Sequence, residues 1–575
     1  MSSAASLGNH LLFSSYYNYV SMVESLLSDT PVSINWQNKD GFTALYVACQ
    51  KGHVDVVTLL LARPDIDVNL PTTEGGSPFF VACSKGRDDV VRLLLGDPRV
   101  DVNLADLKGL TPFFVACEKG QPAVVATMLR DGRVNVAMET LDGATPLFAA
   151  CRKGWRDVVA HLLDDHRTEV NAEGNDRPSP LYAACDRGHD NVVELLLADR
   201  RVDVNKPRSS GGFPLHVACE KGHVGVVRAL LRHPLLEANQ ISTKGATALS
   251  IACQKGKGDV VDLLLADERV DVNLPATTKY PPLVVSSKRG LADMVSRLLR
   301  HPRIDINQIN SHGGTPTYNA CKNGQAEVLT LLLADPRTNL NTQTLNGCTP
   351  FLIACRSGHS RVAAMLLNDG RADVNQAENE GCSPLWMAAH FGYLEIVQQL
   401  LSSECEVDLT QRTRIGSSFC NNKTALEIAT LHASRAQLPA ETGVDYERRC
   451  VYCPIIADIL AAYEQEPRLT RLALRRLPGL REKYIGETFA LMVFLSDHFV
   501  AVREGVAVRE GGTVSAVDSV RFFRIASSLP MELQMVLCNR LYDCGQDTVL
   551  TVHSEPAFRV LGRCPEWDGG DTVTS

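Results

Sequence analysis

Residues 109–120 read Gly-Leu-Thr-Pro-Phe-Phe-Val-Ala-Cys-Glu-Lys-Gly and carry signals for both ends of one short helix. Thr111 is an N-cap residue, because its hydroxyl accepts from a backbone N–H that has no partner in the first turn. Pro112 suits the first helical position, where its missing N–H costs nothing. Gly120 takes the left-handed conformation of a C-cap without strain, and Lys119 faces the negative end of the helix dipole. The stretch therefore predicts a helix that ends at Lys119.

This stretch recurs with a period of 34 residues. Glycine occupies the helix-ending position eleven times without a change of register, at Gly52, Gly86, Gly120, Gly154, Gly188, Gly222, Gly256, Gly290, Gly324, Gly358 and Gly392. Nine of these glycines have cysteine three places earlier, and the two exceptions, Ser287 and Ala389, are also small. A fixed period of this length is typical of a solenoid, in which each repeat buries its apolar face against its neighbours.

A second helix is predicted after each glycine, from apolar runs such as Val56-Val57-Thr58-Leu59-Leu60-Leu61. A segment of the type Asp-Pro-Arg-Val-Asp-Val-Asn then forms a turn and an extended connector. Helices this short are marginal in water, so stacking must supply their stability. Ala116 and Cys117 give a thin apolar ridge that lets neighbouring helices approach closely.

These residues resemble the ankyrin repeat, most closely over residues 211–239 and 347–375. The family pattern is a glycine, a Thr-Pro-Leu helix start, paired small residues, Gly-His, a Val-Val…Leu-Leu-Leu helix and Asp-Val-Asn. The resemblance implies an all-α fold, a solenoid of stacked helix-turn-helix units with hairpin-like loops. This chain has one residue more after the second helix than the usual ankyrin form, which we interpret as a lengthened loop.

The repeat pattern predicts four regions. They are a degenerate N-terminal capping repeat (1–40), eleven repeats (41–408), a degenerate C-terminal capping repeat with an insertion (409–466) and a helical C-terminal region (467–575). The cap at 409–466 has its first helix near Lys423–Ala429 and its second at Ile455–Leu460. A capping repeat is expected to present a polar outer face.

The C-terminal region opens with a basic segment. Residues 468–483 contain five arginines and one lysine against one glutamate, a net charge of +5. Three interpretations stay open: a solvated helix face, docking on the acidic remainder of the chain, or binding to an acidic partner.

Composition and charge indicate a globular chain in a reducing compartment. The chain has 45% hydrophobic and 22% charged residues, 18 cysteines and a net charge of −8. No secretory signal opens it, and its longest apolar run, 489–502, is too short to span a bilayer. We therefore expect a cytoplasmic monomer, with a nuclear location left open, that binds neither membrane nor nucleic acid.

Catalysis is not expected, because no phosphate-binding loop, nucleophile elbow or dinucleotide fingerprint is present. Cys450 and Cys453 have metal-like spacing but lack a second pair, so neither a metal nor a cofactor is expected. The histidines after the helix-ending glycines (His53, His189, His223 and His359) belong to the repeat pattern, and helix capping or packing explains them.

Partner binding is expected where the repeats vary. The ankyrin resemblance implies recognition of other proteins by the hairpin tips and the end of the first helix. The variable residue after each small pair is our predicted binding position: Gln50, Ser84, Glu118, Arg152, Asp186, Glu220, Gln254, Lys288, Lys322, Arg356 and His390. Aromatic side chains recur nearby, as packing residues or as binding anchors: Tyr46, Phe80, Phe114, Phe148, Tyr182, Tyr318 and Trp386.

The sequence thus favours a protein-binding scaffold or adaptor that uses the concave face of the array. An alternative is a ubiquitin-ligase adaptor, because Leu529-Pro530-Met531-Glu532-Leu533 resembles the opening of an F-box. A further possibility is modification, since residues 61–69 are similar to sites of asparaginyl hydroxylases on ankyrin proteins.

Overall fold

The computed structural model describes residues 2–480, except 30–31, 175–176, 276–279, 415–419, 436–443 and 478–479. Within these residues the backbone forms 27 α-helices and no β-strand, which confirms the predicted all-α solenoid fold. The chain divides into two compact units, Met1–Pro282 and Leu283–Ser575, and each is described by itself.

The first unit contains an N-terminal helix pair and seven two-helix repeats. The N-terminal pair is α1 (Ser2–Tyr16) and α2 (Val20–Asp29). The first helices of the repeats are α3 (Ala44–Lys51), α5 (Pro78–Ser84), α7 (Pro112–Lys119), α9 (Pro146–Lys153), α11 (Pro180–Arg187), α13 (Pro214–Lys221) and α15 (Ala248–Gln254). The second helices are α4 (Val54–Leu61), α6 (Asp88–Leu95), α8 (Pro122–Leu129), α10 (Arg156–Asp164), α12 (Asp190–Ala198), α14 (Val224–Arg232) and α16 (Gly258–Ala266).

Helix α7 begins and ends where its sequence predicts. The Thr111 hydroxyl accepts from the backbone N–H of Phe114 at 3.1 Å, and Pro112 is the first helical residue. Gly120 has φ 70°, and its N–H donates to the carbonyl of Cys117 at 3.3 Å. These bonds satisfy backbone groups that a helix end otherwise leaves unpaired. Capping therefore sets the helix length from local sequence alone.

The core of each repeat lies between its two helices. In the α7–α8 repeat, Ala116, Cys117, Val125 and Met128 are fully buried. Burial raises the pKa of the Cys117 thiol, so this cysteine stays neutral and packs as a small apolar side chain. The predicted small-residue ridge is thus part of the core.

The lengthened connector bonds to the preceding repeat. Arg99 pairs with Asp97 at 2.7 Å, and its Nη2 also donates to the carbonyl of Leu61 at 2.8 Å. Asn69 donates to the carbonyl of Arg99 at 2.7 Å and accepts from the N–H of Asp101 at 2.8 Å. Because the three bonds other than the Arg99–Asp97 pair join residues 30 to 38 apart, the connector ties neighbouring repeats together.

The N-terminal pair packs like a repeat and carries aromatic side chains on its outer surface. Leu11 and Val23 are buried, and α1 and α2 pack on α3 and α4. Phe13, Tyr17 and Tyr19 are about half exposed, and the Phe13 and Tyr17 rings lie 4.6 Å apart. Most other exposed residues of this pair are polar, so the aromatic rings lie within an otherwise polar surface.

Among its described residues, the second unit contains four repeats and three further helices. The first helices of its repeats are α17 (Pro282–Arg289), α19 (Pro316–Lys322), α21 (Pro350–Ser357) and α23 (Pro384–Phe391). The second helices are α18 (Ala292–Leu299), α20 (Ala326–Ala334), α22 (Ser360–Asp369) and α24 (Leu394–Ser402). They are followed by α25 (Ala425–Arg435), α26 (Val444–Gln465) and α27 (Pro467–Arg475). Helix α26 is longer than the predicted segment at 455–460 and contains Pro454.

The basic segment begins with α27, which packs on α24 and α26. Leu474 is buried in the core of the second unit. Arg475 donates from Nε to the carbonyl of Ser402 at 2.9 Å and lies 3.5 Å from Glu404. Of the three interpretations of the basic segment, docking on another part of the chain therefore applies to Leu474 and Arg475. Residues 481–483 lie outside the described residues.

Candidate functional site

The eleven predicted binding residues share one location, the last turn of the first helix of their repeats. None of them is buried. The exposed members are Arg152, Glu220, Lys288, Lys322 and Arg356, and the half-buried members are Gln50, Ser84, Glu118, Asp186, Gln254 and His390. The predicted set therefore forms a row of solvent-accessible side chains in each unit.

Their backbone is held by the following repeat. Trp155 donates from Nε1 to the carbonyl of Glu118 at 2.9 Å, and His189 Nε2 lies 3.2 Å from the carbonyl oxygen of Arg152. Likewise, Arg87 donates from Nε to the carbonyl of Gln50 in the preceding repeat at 3.2 Å. These bonds fix the helix end and leave the side chains of the predicted residues facing solvent.

The repeat histidines are part of this anchoring. His53, His189, His223 and His359 each place Nε2 within 2.9–3.2 Å of a carbonyl oxygen in the preceding helix pair or repeat. None makes a side-chain capping bond to its own helix. Of the two explanations that the sequence offered, packing is therefore confirmed and helix capping was wrong.

The aromatic positions divide by burial. Phe114, Phe148, Tyr182 and Trp386 are buried, whereas Tyr46, Phe80 and Tyr318 are half-buried. Phe114 and Phe148 belong to one apolar cluster that also includes Ala144 and Ala183. Packing between repeats thus accounts for the four buried rings, while the three half-buried ones keep a solvent-facing edge.

A cleft of about 130 Å³ lies beside two of the predicted residues, Glu118 and Arg152. Leu110, Phe114 and Phe148 line it with apolar atoms. The acidic and basic side chains on its rim give it charges of both signs. This cleft combines an apolar interior with charged walls, and it is smaller than the ligand pockets of about 300–1,000 Å³ that are usual in proteins, so its size suits a single side chain.

Arg177 also lies on the rim of the cleft. It is the first residue of its repeat, a position at which the ten other repeats have glycine or lysine. Its guanidinium pairs with the carboxylate of Asp142, donates to the Asp142 carbonyl at 3.2 Å and lies 5.4 Å from the centre of the Phe148 ring. The hydrogen bond from Thr140, followed by the Arg177 pair, lowers the pKa of Asp142. The rim is therefore preorganised by an ion pair between two repeats.

The charge pattern of the predicted row differs between the units. In the first unit acidic and basic residues are mixed, and Glu220 pairs with Lys255 of the next repeat at 2.9 Å. In the second unit three successive repeats present cations, at Lys288, Lys322 and Arg356. The second unit thus has a basic row on its first helices.

His390 is the last residue of the predicted row, and its side chain is neutral. Its ring stacks on Trp386 at 4.8 Å, and its Nδ1 lies 3.0 Å from Nε2 of His432. Burial, then His432 and Arg449, lower the pKa of His390 to about 3. At neutral pH this position therefore offers an aromatic surface and no charge.

Two features of the hairpin tips were missed at the sequence level. Leu107 and Leu141, each two residues before the glycine of a tip, are 74% and 76% exposed. Glu378, Glu380 and Cys382 bring their ligand atoms within 4.8 Å of one another. Both features could have been found in the sequence. Leucine stands at positions 107 and 141, where most repeats have a polar side chain, and glutamate stands at position 378, where most repeats have a shorter side chain.

A comparison with family models agrees with this architecture. The family model of ankyrin repeats (three copies) matches residues 10–106, 82–174, 113–208, 181–276 and 318–413. No curated protein matches the chain. The crystal structure of the ankyrin repeat domain of Bcl-3, a unique member of the IkappaB protein family, is similar at 25% sequence identity, with a TM-score of 0.37. That match covers 39% of this chain and 99% of the Bcl-3 chain.

The described residues include no segment that could span a membrane as a helix, because none of their helices is both long and apolar enough to cross a bilayer.

Proposed function

The chain belongs to the ankyrin repeat family, whose repeats are protein–protein interaction modules, and we propose that it is a scaffold or adaptor that binds partner proteins without catalysis. In this proposal the binding surface is the concave face formed by the first-helix ends and the hairpin tips. In this proposal the protein is a monomer in the cytoplasm or nucleus. Its partners are proteins, and it binds neither nucleic acid nor membrane.

One observation carries the proposal: side chains that follow the helix-ending glycines are used in stacking, whereas the side chains at the eleven predicted positions remain accessible. Trp155 and His189 bond the carbonyls of Glu118 and Arg152, and the two side chains at these positions face solvent. A binding surface whose backbone is already ordered loses little conformational entropy when a partner binds. The eleven variable positions therefore suit recognition.

The cleft beside Glu118 supports a particular kind of contact. Its apolar lining from Phe114 and Phe148 accepts one hydrophobic side chain of a partner. Glu118 and Arg152 then pair with flanking charges of opposite sign, which gives orientation more than affinity. In the second unit, the row of Lys288, Lys322 and Arg356 suits an acidic segment.

A double charge swap, Glu118→Arg with Arg152→Glu, tests the proposal in the full chain. It preserves net charge while it exchanges the charges beside the cleft. The matched control is Arg156→Glu with Asp157→Arg, an exposed pair at 3.7 Å on α10 of the same repeat. Both variants and the wild type are used for affinity capture with quantitative mass spectrometry, after their melting temperatures have been compared.

We expect the swap beside the cleft to lose at least one partner that the wild type and the α10 control retain. An identical set of partners for all three proteins contradicts recognition beside this cleft. Further swaps at Lys322 and Arg356 then decide whether the second unit carries the binding.

The ubiquitin-ligase alternative depends on Leu529–Leu533, which lie outside the described residues. It stays a prediction. Its test is capture of the ligase's linker subunit by the full chain and by a Leu529→Ala, Pro530→Ala variant. Absence of the linker subunit from the wild-type capture removes the alternative.

A further inference from the structure

A hairpin tip of the second unit has an unusual set of side chains. Residues 378–382 form a tight turn, in which Gly381 N–H donates to the carbonyl of Glu378 at 2.8 Å and Glu378 N–H donates to the carbonyl of Cys382 at 3.2 Å. Gly381 has φ 77°, a conformation that favours glycine. The turn brings together Glu378, Glu380 and Cys382, whose ligand atoms lie within 4.8 Å of one another.

Other tips show what the first position of this turn normally does. In seven of them a short polar side chain accepts from the backbone N–H four residues later, at 2.8–3.2 Å. These residues are Asn38, Thr72, Asp106, Thr140, Ser242, Asn310 and Thr344. The usual residue at this position is therefore one that closes its own turn.

Glu378 occupies this position with a longer side chain and reaches the preceding repeat. Its Oε2 accepts from the thiol of Cys348 at 3.1 Å. The Glu378 side chain is 9% exposed, and Arg356 lies 3.8 Å from the same oxygen. A carboxylate this buried needs compensation by cations or hydrogen bonds. Here the compensation comes from a thiol and a guanidinium at the edge of ion-pair distance.

The two cysteines occupy equivalent positions in successive repeats. Cys348 and Cys382 each follow the glycine of a tip, and both are buried. The other nine repeats have Phe, Gly, Leu, Ala, Pro or Tyr at this position. Burial and then Glu378 raise the pKa of the Cys348 thiol to about 11. At this pair of tips, two buried thiols thus lie beside the largely buried side chain of Glu378.

We propose that Glu378, Glu380 and Cys382 form a binding site for Zn²⁺ or a similar thiophilic divalent cation, beside the thiol of Cys348 that contacts Glu378. One sulfur and two oxygen donors, with a fourth position open to water, suit tetrahedral Zn²⁺, whereas Mg²⁺ and Ca²⁺ prefer oxygen donors alone. Cys382 releases its thiol proton to solvent when it becomes a ligand, and no electron is transferred. Glu380 is exposed and gives the ion an entry path.

Arg356 is the opposing charge at this site. Its guanidinium partly neutralises Glu378 and repels an entering cation. A bound ion therefore replaces the guanidinium as the positive charge that compensates Glu378. The ion then joins Glu378, Glu380 and Cys382 within one tip, and Glu378 also contacts Cys348 of the preceding repeat. Metal binding would therefore stiffen this hairpin tip, whether or not the tip also binds a protein partner.

The test uses the metal-free, reduced full chain titrated with Co²⁺, a spectroscopic substitute for Zn²⁺. We expect thiolate-to-cobalt charge-transfer bands and visible bands of tetrahedral intensity, which Zn²⁺ then abolishes by displacement. Cys382→Ser and Glu378→Gln are expected to lower the affinity by about tenfold or more. Arg356→Ala is expected to tighten binding several-fold.

Two matched controls separate this site from the other thiols and carboxylates. Cys405→Ser changes a half-buried thiol, and Glu395→Gln changes an exposed carboxylate of the same unit. Both are expected to bind Co²⁺ as the wild type does. The proposal is overturned if the wild type gives no thiolate band, if Cys382→Ser and Glu378→Gln bind as tightly as the wild type, or if Cys405→Ser loses the band. Melting curves of the metal-free variants show that each is folded, and Glu378→Gln, being nearly isosteric, keeps the test valid if a cysteine variant unfolds.

Discussion

Trp155 and Gly120 belong to successive repeats, and the Trp155 ring lies where any side chain at Gly120 would begin. A Cβ atom placed on Gly120 would be 2.5 Å from Cδ2 of Trp155. Gly120 is also left-handed, with φ 70°. Glycine is therefore required there both by the end of one helix and by the packing of the next repeat.

Gly120→Ala should consequently destabilise the first unit. We expect a loss of about 1–3 kcal/mol in the free energy of unfolding, because the strained φ and the clash with Trp155 act together. Urea denaturation followed by circular dichroism measures this loss. Gly132→Ala is the control, since a Cβ there meets no atom within 4 Å, and it should be close to neutral. Equal stability of the two variants would contradict the argument.

Leu474→Ala should loosen α27 from the second unit. Leu474 is 5% exposed in the core, and its truncation is expected to cost about 2–3 kcal/mol. Leu472→Ala, on the same helix with 52% exposure, should have little effect. Limited proteolysis between 466 and 480, together with melting curves, reports the difference. If both variants are cleaved at the wild-type rate, α27 contributes little to the stability of this unit.

Acid should weaken the connectors. Hydrogen bonds from the neighbouring arginines lower the pKa of six aspartates in the folded state: Asp97, Asp131, Asp165, Asp199, Asp267 and Asp335. Because the folded-state pKa lies below the ordinary 3.8, these groups stabilise the fold above that pH. Their contribution is lost as pH falls through the lowered pKa.

Melting temperatures between pH 6 and 2.5 measure this acid sensitivity. Asp131→Asn should melt at a lower temperature than wild type at pH 6 and approach wild type at the acid end. Asp157→Asn, on the exposed face of α10, should follow the wild-type curve throughout. A constant gap between Asp131→Asn and wild type would show that charge is not the cause.

His390 should make the second unit sensitive to mild acid. Its folded-state pKa, about 3, lies below the ordinary 6.5, so the unfolded chain binds a proton more readily in that interval. Stability should therefore be complete above pH 6.5 and fall as pH decreases toward 3. Calorimetry at pH 7.5, 6 and 5 should show a smaller fall for His390→Gln than for wild type. An equal fall would place the acid sensitivity elsewhere, for instance at His216, whose pKa burial lowers to about 4.

The limits of helices within the repeats were predictable because their signals are local. Thr111, Pro112 and Gly120 act on backbone groups within a few residues, and the structure places the caps of α7 as predicted. The exposure of the eleven variable positions also follows from the helical period. By contrast, α26 extends well beyond the predicted 455–460, since the insertion before it has no repeat to serve as a template.

The sequence by itself determined the repeat, its two helices and the family, because capping, apolar periodicity and a fixed spacing are properties of neighbouring residues. Only the tertiary structure decided which residues 30 to 42 positions apart meet. Arg177 reaches Asp142, His432 reaches His390 and Cys348 reaches Glu378 through the stacking of repeats. Each of these pairs departs from the repeat pattern, so the period carries no information about it, and the contact arises only when the helices are stacked.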